Sequence, residues 1–296
     1  MATFVIYTYQ FAPVMHPVDG MEYSDEEKVS IKESLEKKQD ILGSYLDNNS
    51  ELEFRHGEER HNHKWLVSQD NVYVFRIARN KPITLETNFE EQEVKNNPSC
   101  VVIVDNRHNR QVIAIQRTAK AWTKTGDVAT ILQETFNRLL RPKHRIQLSI
   151  NAKYHTHEFW EVVSTFYKGI KRVTFTFPYP NLPQISDLVG DFYRQVALET
   201  DSEPSTSLTA LPNQTTVKLD KNSLLLDNMI KACAASGKPI KITPLGSKEI
   251  SLGEEGLVEE KISDVALKNL GDKQDLFKSK WEIIIEFLNS IKMVYE

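Results

Sequence analysis

Residues 99–118 read SCVVIVDNRHNRQVIAIQRT, two β-rich runs joined by a polar, basic tip. Val and Ile fill both runs, and a polar tip between two such runs predicts a hairpin. Both of its sides are apolar enough for an inner pair of strands, so a larger sheet has to be assembled around it.

The remaining patterns supply candidates. MATFVIYTYQ at the N-terminus reads as a first strand, and KWLVSQ and NVYVFRIA alternate around a polar turn at Asp70 and Asn71. Between them, residues 24–46 predict a helix: Ser24 with Glu27 three residues on forms a capping box, and Ile31, Leu35, Leu42, Tyr45 and Leu46 follow at helical spacing. GDVATILQETFNRLL predicts a second helix with Thr125 as its cap and Pro142 as its stop. RIQLSI is then a strand. A third helix starts within YHTHEFWE, with Thr156 as cap, a stripe of Phe159, Val162, Val163, Phe166 and Tyr167, and an end at Gly169; RVTFTF is the next strand. The expectation is an α+β fold, mixed or antiparallel sheets with helices on one face, in two domains.

The boundary falls after a helix at about 185–198. Residues 201–214 are rich in Ser, Thr and Pro and read as a linker, which gives an N-terminal domain over 1–200 and a smaller C-terminal domain over 215–296. TTVKL and PIKIT are its expected strands, on either side of a helix over SLLLDNMIKACAASG. A terminal helix follows, with Phe277, Trp281, Ile284, Leu288 and Ile291 on one stripe and Leu276, Ile283 and Phe287 widening it.

Forty per cent hydrophobic residues are ample for a core, yet no run approaches the roughly 18 apolar residues of a membrane span. The start lacks a basic leader, and the two cysteines, Cys100 and Cys233, lie far apart. Neither a disulfide framework nor a thiolate metal spacing is expected, and the expected compartment is the cytoplasm, without membrane insertion.

Charge carries the strongest functional signal. Residues 106–175 hold 13 Lys or Arg against 4 Asp or Glu, a net +9, in a chain whose overall charge is −4. Arg107 and Arg110 lie at the hairpin tip, and Arg117, Lys120 and Lys124 lead to the next helix. Arg138, Arg141, Lys143 and Arg145 cluster with His144 at that helix's end, and Lys168, Lys171 and Arg172 mark a helix-to-strand turn. Scattered cations are usually a solvated surface. A +9 segment in an acidic chain is more selective, and cations at element ends can reach phosphate oxygens. With no zinc finger and no ribonucleoprotein aromatic signature, sequence-independent backbone binding is the expectation.

Each enzyme motif lacks a part that its chemistry needs. A zinc-protease helix needs His-Glu-x-x-His, but the chain reads His157, Glu158, Phe159, Trp160, Glu161. His155 with His157 and Glu158 reads better as a helix start. The group His56, Glu58, Glu59, His61 and His63 reads as a solvated loop. Glu93-Val94-Lys95 with Asp70 has the residue types of a metal-dependent nuclease, but such a site needs a core strand, and NFEEQEVKNNP is polar throughout, a surface turn or short helix. Phosphate-loop, dinucleotide and nucleophile-elbow patterns do not occur. No catalytic residue, metal or cofactor is expected.

The order NPSCVVIVDNRHNRQVIAIQRT, RIQLSI, a helix, RVTFTF, then TTVKLDKNSLLLDNMIKACAASG before a terminal helix resembles the RexA-like phage exclusion proteins. The likeness runs from about residue 65 onward, and Lys218 and Lys221 fall in a matching basic segment. It implies a cytosolic homodimer that senses duplex DNA and works with a membrane effector protein in abortive infection. RNA is the alternative nucleic acid. A metal-dependent nuclease of a defence system, or an interaction subunit whose basic face docks an acidic partner, are the alternative functions.

Overall fold

The computed structural model describes residues 1–14, 24–48, 52–87, 89–166, 168–267 and 277–294. Tyr167 and Leu276, expected on buried helical stripes, lie outside them, as does the Phe277 side chain.

In chain order the elements are β1 (Ala2–Pro13), α1 (Asp25–Glu36), α2 (Lys38–Asp47), β2 (Arg55–His56), β3 (Glu59–Arg60), β4 (Asn62–Gln69), β5 (Val72–Ala78), β6 (Ile83–Thr87), β7 (Glu90–Val94), β8 (Ser99–Asp105) and β9 (Val112–Gln116). There follow α3 (Thr125–His144), β10 (Ile146–Ala152), α4 (His157–Thr165), β11 (Ile170–Thr176), α5 (Pro183–Val189), α6 (Asp191–Thr200) and β12 (Ser205–Thr209). The last elements are α7 (Leu224–Ser236), β13 (Ile240–Pro244), β14 (Ile250–Ser251), β15 (Glu259–Ile262), α8 (Asp264–Leu267) and α9 (Phe277–Ser290). This is an α+β protein.

The chain packs as two compact units, each assembled from separated segments. One comprises residues 1–5, 23–150 and 259–291, the other 6–22, 151–258 and 292–296. The stretch expected as a linker contains β12, which pairs antiparallel with β11 from Arg172↔Thr209 to Thr176↔Ser205. Its Ser and Thr side chains alternate along an edge strand instead of solvating a tether.

A seven-stranded sheet runs β10-β1-β9-β8-β5-β4, with β15 also on β1. Strand β8 is inner, pairing with β5 and β9, as its two-sided apolar pattern demands. Asp70 and Asn71 join β4 to β5 with φ of 53° and 58°, the left-handed pair that a two-residue hairpin of this twist requires. The Ser24–Glu27 capping box forms on α1. Helix α3 runs through Pro142 and ends at Arg145, in the left-handed region at φ 53°, where the Arg145 N–H donates to the Arg141 carbonyl. Proline in the last turn forfeits a single hydrogen bond, too little to stop a helix whose Val128, Ile131, Leu132, Phe136 and Leu140 are buried, at about 1.5–3 kcal/mol each. Lys124, not Thr125, is its N-cap residue.

In the second unit, the antiparallel sheet β12-β11-β13-β14 is the frame. RVTFTF therefore belongs to a different sheet from RIQLSI. The segment TTVKL forms no strand. Its Val217 N–H donates to the Ile170 carbonyl, and Val217 and Leu219 pack on a core built from Phe159, Val173, Phe175, Ile230, Cys233 and Ile242. The helix expected at 185–198 is broken at Gly190, φ 84°, into α5 and α6.

Candidate nucleic-acid interface

The twelve cations expected at a phosphate-binding surface separate by what they touch. Asp105, fully buried at the end of β8, takes two hydrogen bonds from the Arg107 guanidinium, Nε to Oδ1 at 2.8 Å and Nη2 to Oδ2 at 2.8 Å, and one from Arg110 Nε at 3.0 Å. Arg110 also donates to the Leu288 and Ile291 carbonyls, and Arg107 to Asn289 Oδ1 at 3.1 Å. The two hairpin-tip arginines thus cap the C-terminal end of α9, where cations satisfy orphan carbonyls and the helix dipole. They are structural.

Two further cations have protein carboxylates. Arg117 pairs with Glu259 at 2.6 Å while its side chain stays 61% exposed, and Arg145 pairs with Glu27 at 2.5 Å. The Ser24 backbone N–H and then Arg145 hold the Glu27 carboxyl below its usual range. Lys143 lies over the Tyr45 ring at 5.3 Å.

Lys120, Lys124 and Arg138 are exposed and have no ion pair among the described residues; the same holds for Lys171 and Arg172 in the second unit, where Lys168 is also exposed. Lys124 stands at the positive end of α3, where the helix's own N–H groups already favour an anion.

Helix α3 gathers part of this set. Gln133, Glu134, Asn137, Arg138 and Arg141 share one face of it, three and four residues apart, opposite the β2–β3 hairpin. Between them lies a cleft of about 440 Å³, with Arg138 and Arg141 on the helix side and Arg55 and Glu58 on the hairpin side. The cleft is braced by polar contacts. Asn137 clamps both backbone groups of Leu148 (2.7 and 2.8 Å), and Glu134 accepts from His56 Nδ1 (3.0 Å) and the Gly57 N–H (3.3 Å). Arg141 Nη2 donates to Gln147 at 2.7 Å, and Arg55 pairs with Glu53, leaving its buried Nε without a hydrogen-bond partner. Of the three guanidiniums lining the cleft, Arg55 is held by Glu53, while Arg138 and Arg141 are exposed and present planar donor forks that match phosphate oxygens.

Arg55 was not among the expected contacts. Residues 55–63 read as a solvated loop because charge dominates them, whereas β2 pairs with β3 and packs on α3, and His61 is buried. A two-residue strand is too short for periodicity to show which of its residues face α3.

The other candidates resolve individually. Glu93-Val94-Lys95 lies on and beside β7, an exposed strand whose partner is β6, so the triplet is on no core strand. His155 and His157 have ring centroids 5.2 Å apart, and Thr156 occupies the N-cap position of α4 without a side-chain capping bond. The Glu158 carboxyl is tucked against Gly256; burial, with Glu255 and Glu161 beside it, pushes its pKa up to about 7. Among the described residues, no group of three or more His, Cys, Asp or Glu side chains could hold a metal ion. No helix among them is long and apolar enough to cross a membrane. No family model matches this chain, and no curated protein matches it.

Proposed function

We propose that this protein binds duplex DNA through its phosphates, largely without regard to sequence, and does no chemistry on it. The observation that carries the reading is the α3 cleft, where Arg55, Arg138 and Arg141 line one open surface. Lys124 is a further exposed cation, at the other end of the same helix. Backbone neutralisation of this kind gives affinity and positioning, while base-edge readout would need a helix or strand presenting side chains into a groove.

The cellular role follows from the resemblance to RexA-like exclusion proteins: a cytoplasmic homodimeric sensor that engages DNA and signals to a membrane effector in phage defence. Titration of the purified protein against duplexes of unrelated sequence tests the binding claim; comparable affinities that fall steeply with salt are expected. Incubation of supercoiled and linear DNA with Mg²⁺ or Mn²⁺ separates binding from the nuclease alternative, and cleavage would replace the proposal.

A further inference from the structure

Beside the cleft is a smaller cavity of about 170 Å³, on the other side of the β2–β3 hairpin. Its volume is roughly half that at which pockets for drug-sized ligands begin, about 300 Å³. His61, Trp122 and Ile131 line it together with Glu59, Asp127 and Thr130. The His61 ring is buried to 3% exposure, and neither of its nitrogens has a hydrogen-bond partner; Glu59 Oε1 stands 3.9 Å from Nδ1, and the Ala78 backbone lies beside the ring. An orphaned ring this deep costs free energy unless something in the cavity pairs with it. Burial lowers the His61 pKa, so at neutral pH the ring is an uncharged imidazole with one donor and one acceptor.

The chemistry of the walls narrows the occupant. The Trp122 indole, in edge contact with His61 at 6.1 Å, offers an apolar, aromatic surface. Asp127 and Glu59 accept hydrogen bonds, Thr130 can accept because its own hydroxyl donates to the Gly126 carbonyl, neutral His61 can donate or accept, and Arg79 donates. A small flat heteroaromatic ring with donors and acceptors around its edge satisfies such a set; an aliphatic group or a bare ion does not. The cavity and the cleft also share parts. His56 lines the cavity and donates to Glu134, which lines the cleft. Along α3, Thr130 precedes Arg138 by eight residues, about 12 Å of helix at 1.5 Å per residue. That is the length of three or four stacked nucleotides at about 3.4 Å each.

We infer that the cavity takes a single nucleobase, unstacked from a strand whose phosphates lie along Arg138 and Arg141. The inference rests on the phosphate-binding reading and adds a base-holding contact to it. Selectivity is for an unpaired base over a paired one, because an unpaired base leaves the stack at least cost. Stacking tolerates different sequences, so the pocket does not make the protein a sequence reader.

Fluorescence anisotropy at low salt with three short duplexes tests it: one fully paired, one with a single bulged thymine, and one with an abasic nucleotide at that bulge. The last two have the same number of phosphates and differ only in the base. The thymine bulge should bind roughly tenfold or more tighter than the abasic bulge, the gain of one base stacked on an aromatic wall. Thr130→Phe, which fills the cavity from an exposed helix position, should bring the thymine bulge to the abasic level. Equal affinity for the two bulges, with the paired duplex still bound, overturns the base pocket and leaves phosphate binding standing. No binding to any of the three duplexes overturns both.

Discussion

Asp105→Ala removes the one carboxylate that Arg107 and Arg110 share. Breaking a buried ion pair by deleting one partner costs about 3–5 kcal/mol, because the remaining charge stays desolvated. Here the two guanidiniums keep 26% and 20% of their exposure, and each retains neutral acceptors at the end of α9. That argues for the lower end, about 3 kcal/mol. At about 2–4 °C per kcal/mol for chains approaching this size, the expected fall in melting temperature is about 6–12 °C. Denaturant unfolding followed by circular dichroism measures the free energy, and a thermal scan the melting temperature. A loss below about 1 kcal/mol, the range of an exposed surface pair, would refute the capping role. The companion variants Arg107→Gln and Arg110→Gln should lower stability without changing the salt dependence of DNA binding. A changed salt slope would return these arginines to the phosphate surface.

Gly237→Ala should cost about 2 kcal/mol or more in urea unfolding. Its φ of +66° is left-handed, worth about 1–2 kcal/mol against alanine, and a Cβ would sit 2.5 Å from the Ala152 carbonyl oxygen; a neutral substitution would contradict the close approach. Glu158 titrates at about 7 in the folded state against an ordinary 4.5, so the native state binds the extra proton and stability falls as pH rises from about 4.5 to 7. Glu158→Gln should flatten that dependence and raise stability at pH 8, as measured by urea midpoints across the range; an unchanged pH profile would sink the assignment. His61 has the opposite sign. Its lowered pKa makes stability drop as pH falls through 6.5, and His61→Phe should remove part of that acid sensitivity in the same titration.

The parts legible in the sequence are those that local physics decides. The Ser24–Glu27 capping box, the turn at Asp70–Asn71 and the inner hairpin of 99–118 each declare themselves within a few residues, and each forms. What failed depended on distant partners. Ser and Thr alternating over 205–209 look like a tether until β11 offers an edge to pair with. TTVKL has strand composition but no ladder to join. Pro142 reads as a stop, yet at the last turn of a well-buried helix it is tolerated. In the α3 cleft, Arg138 and Arg141 are among the cations that charge alone singles out. Arg107 and Arg110 looked equivalent to them because Asp105 reads as one more polar residue until its burial is known. Arg55 was invisible in a charged stretch whose packing against α3 no short-range pattern encodes.

The central claim is tested most directly by measuring duplex DNA affinity against salt for the wild type and for Arg138→Ala combined with Arg141→Ala. Phosphate binding through the α3 cleft predicts a linear fall of log affinity with log salt. Each phosphate contact contributes a slope of about 0.9, so losing two contacts should reduce it by about 1.8, and equally for unrelated sequences. An unchanged slope in the double variant, or no binding of the wild type at low salt, would contradict the account.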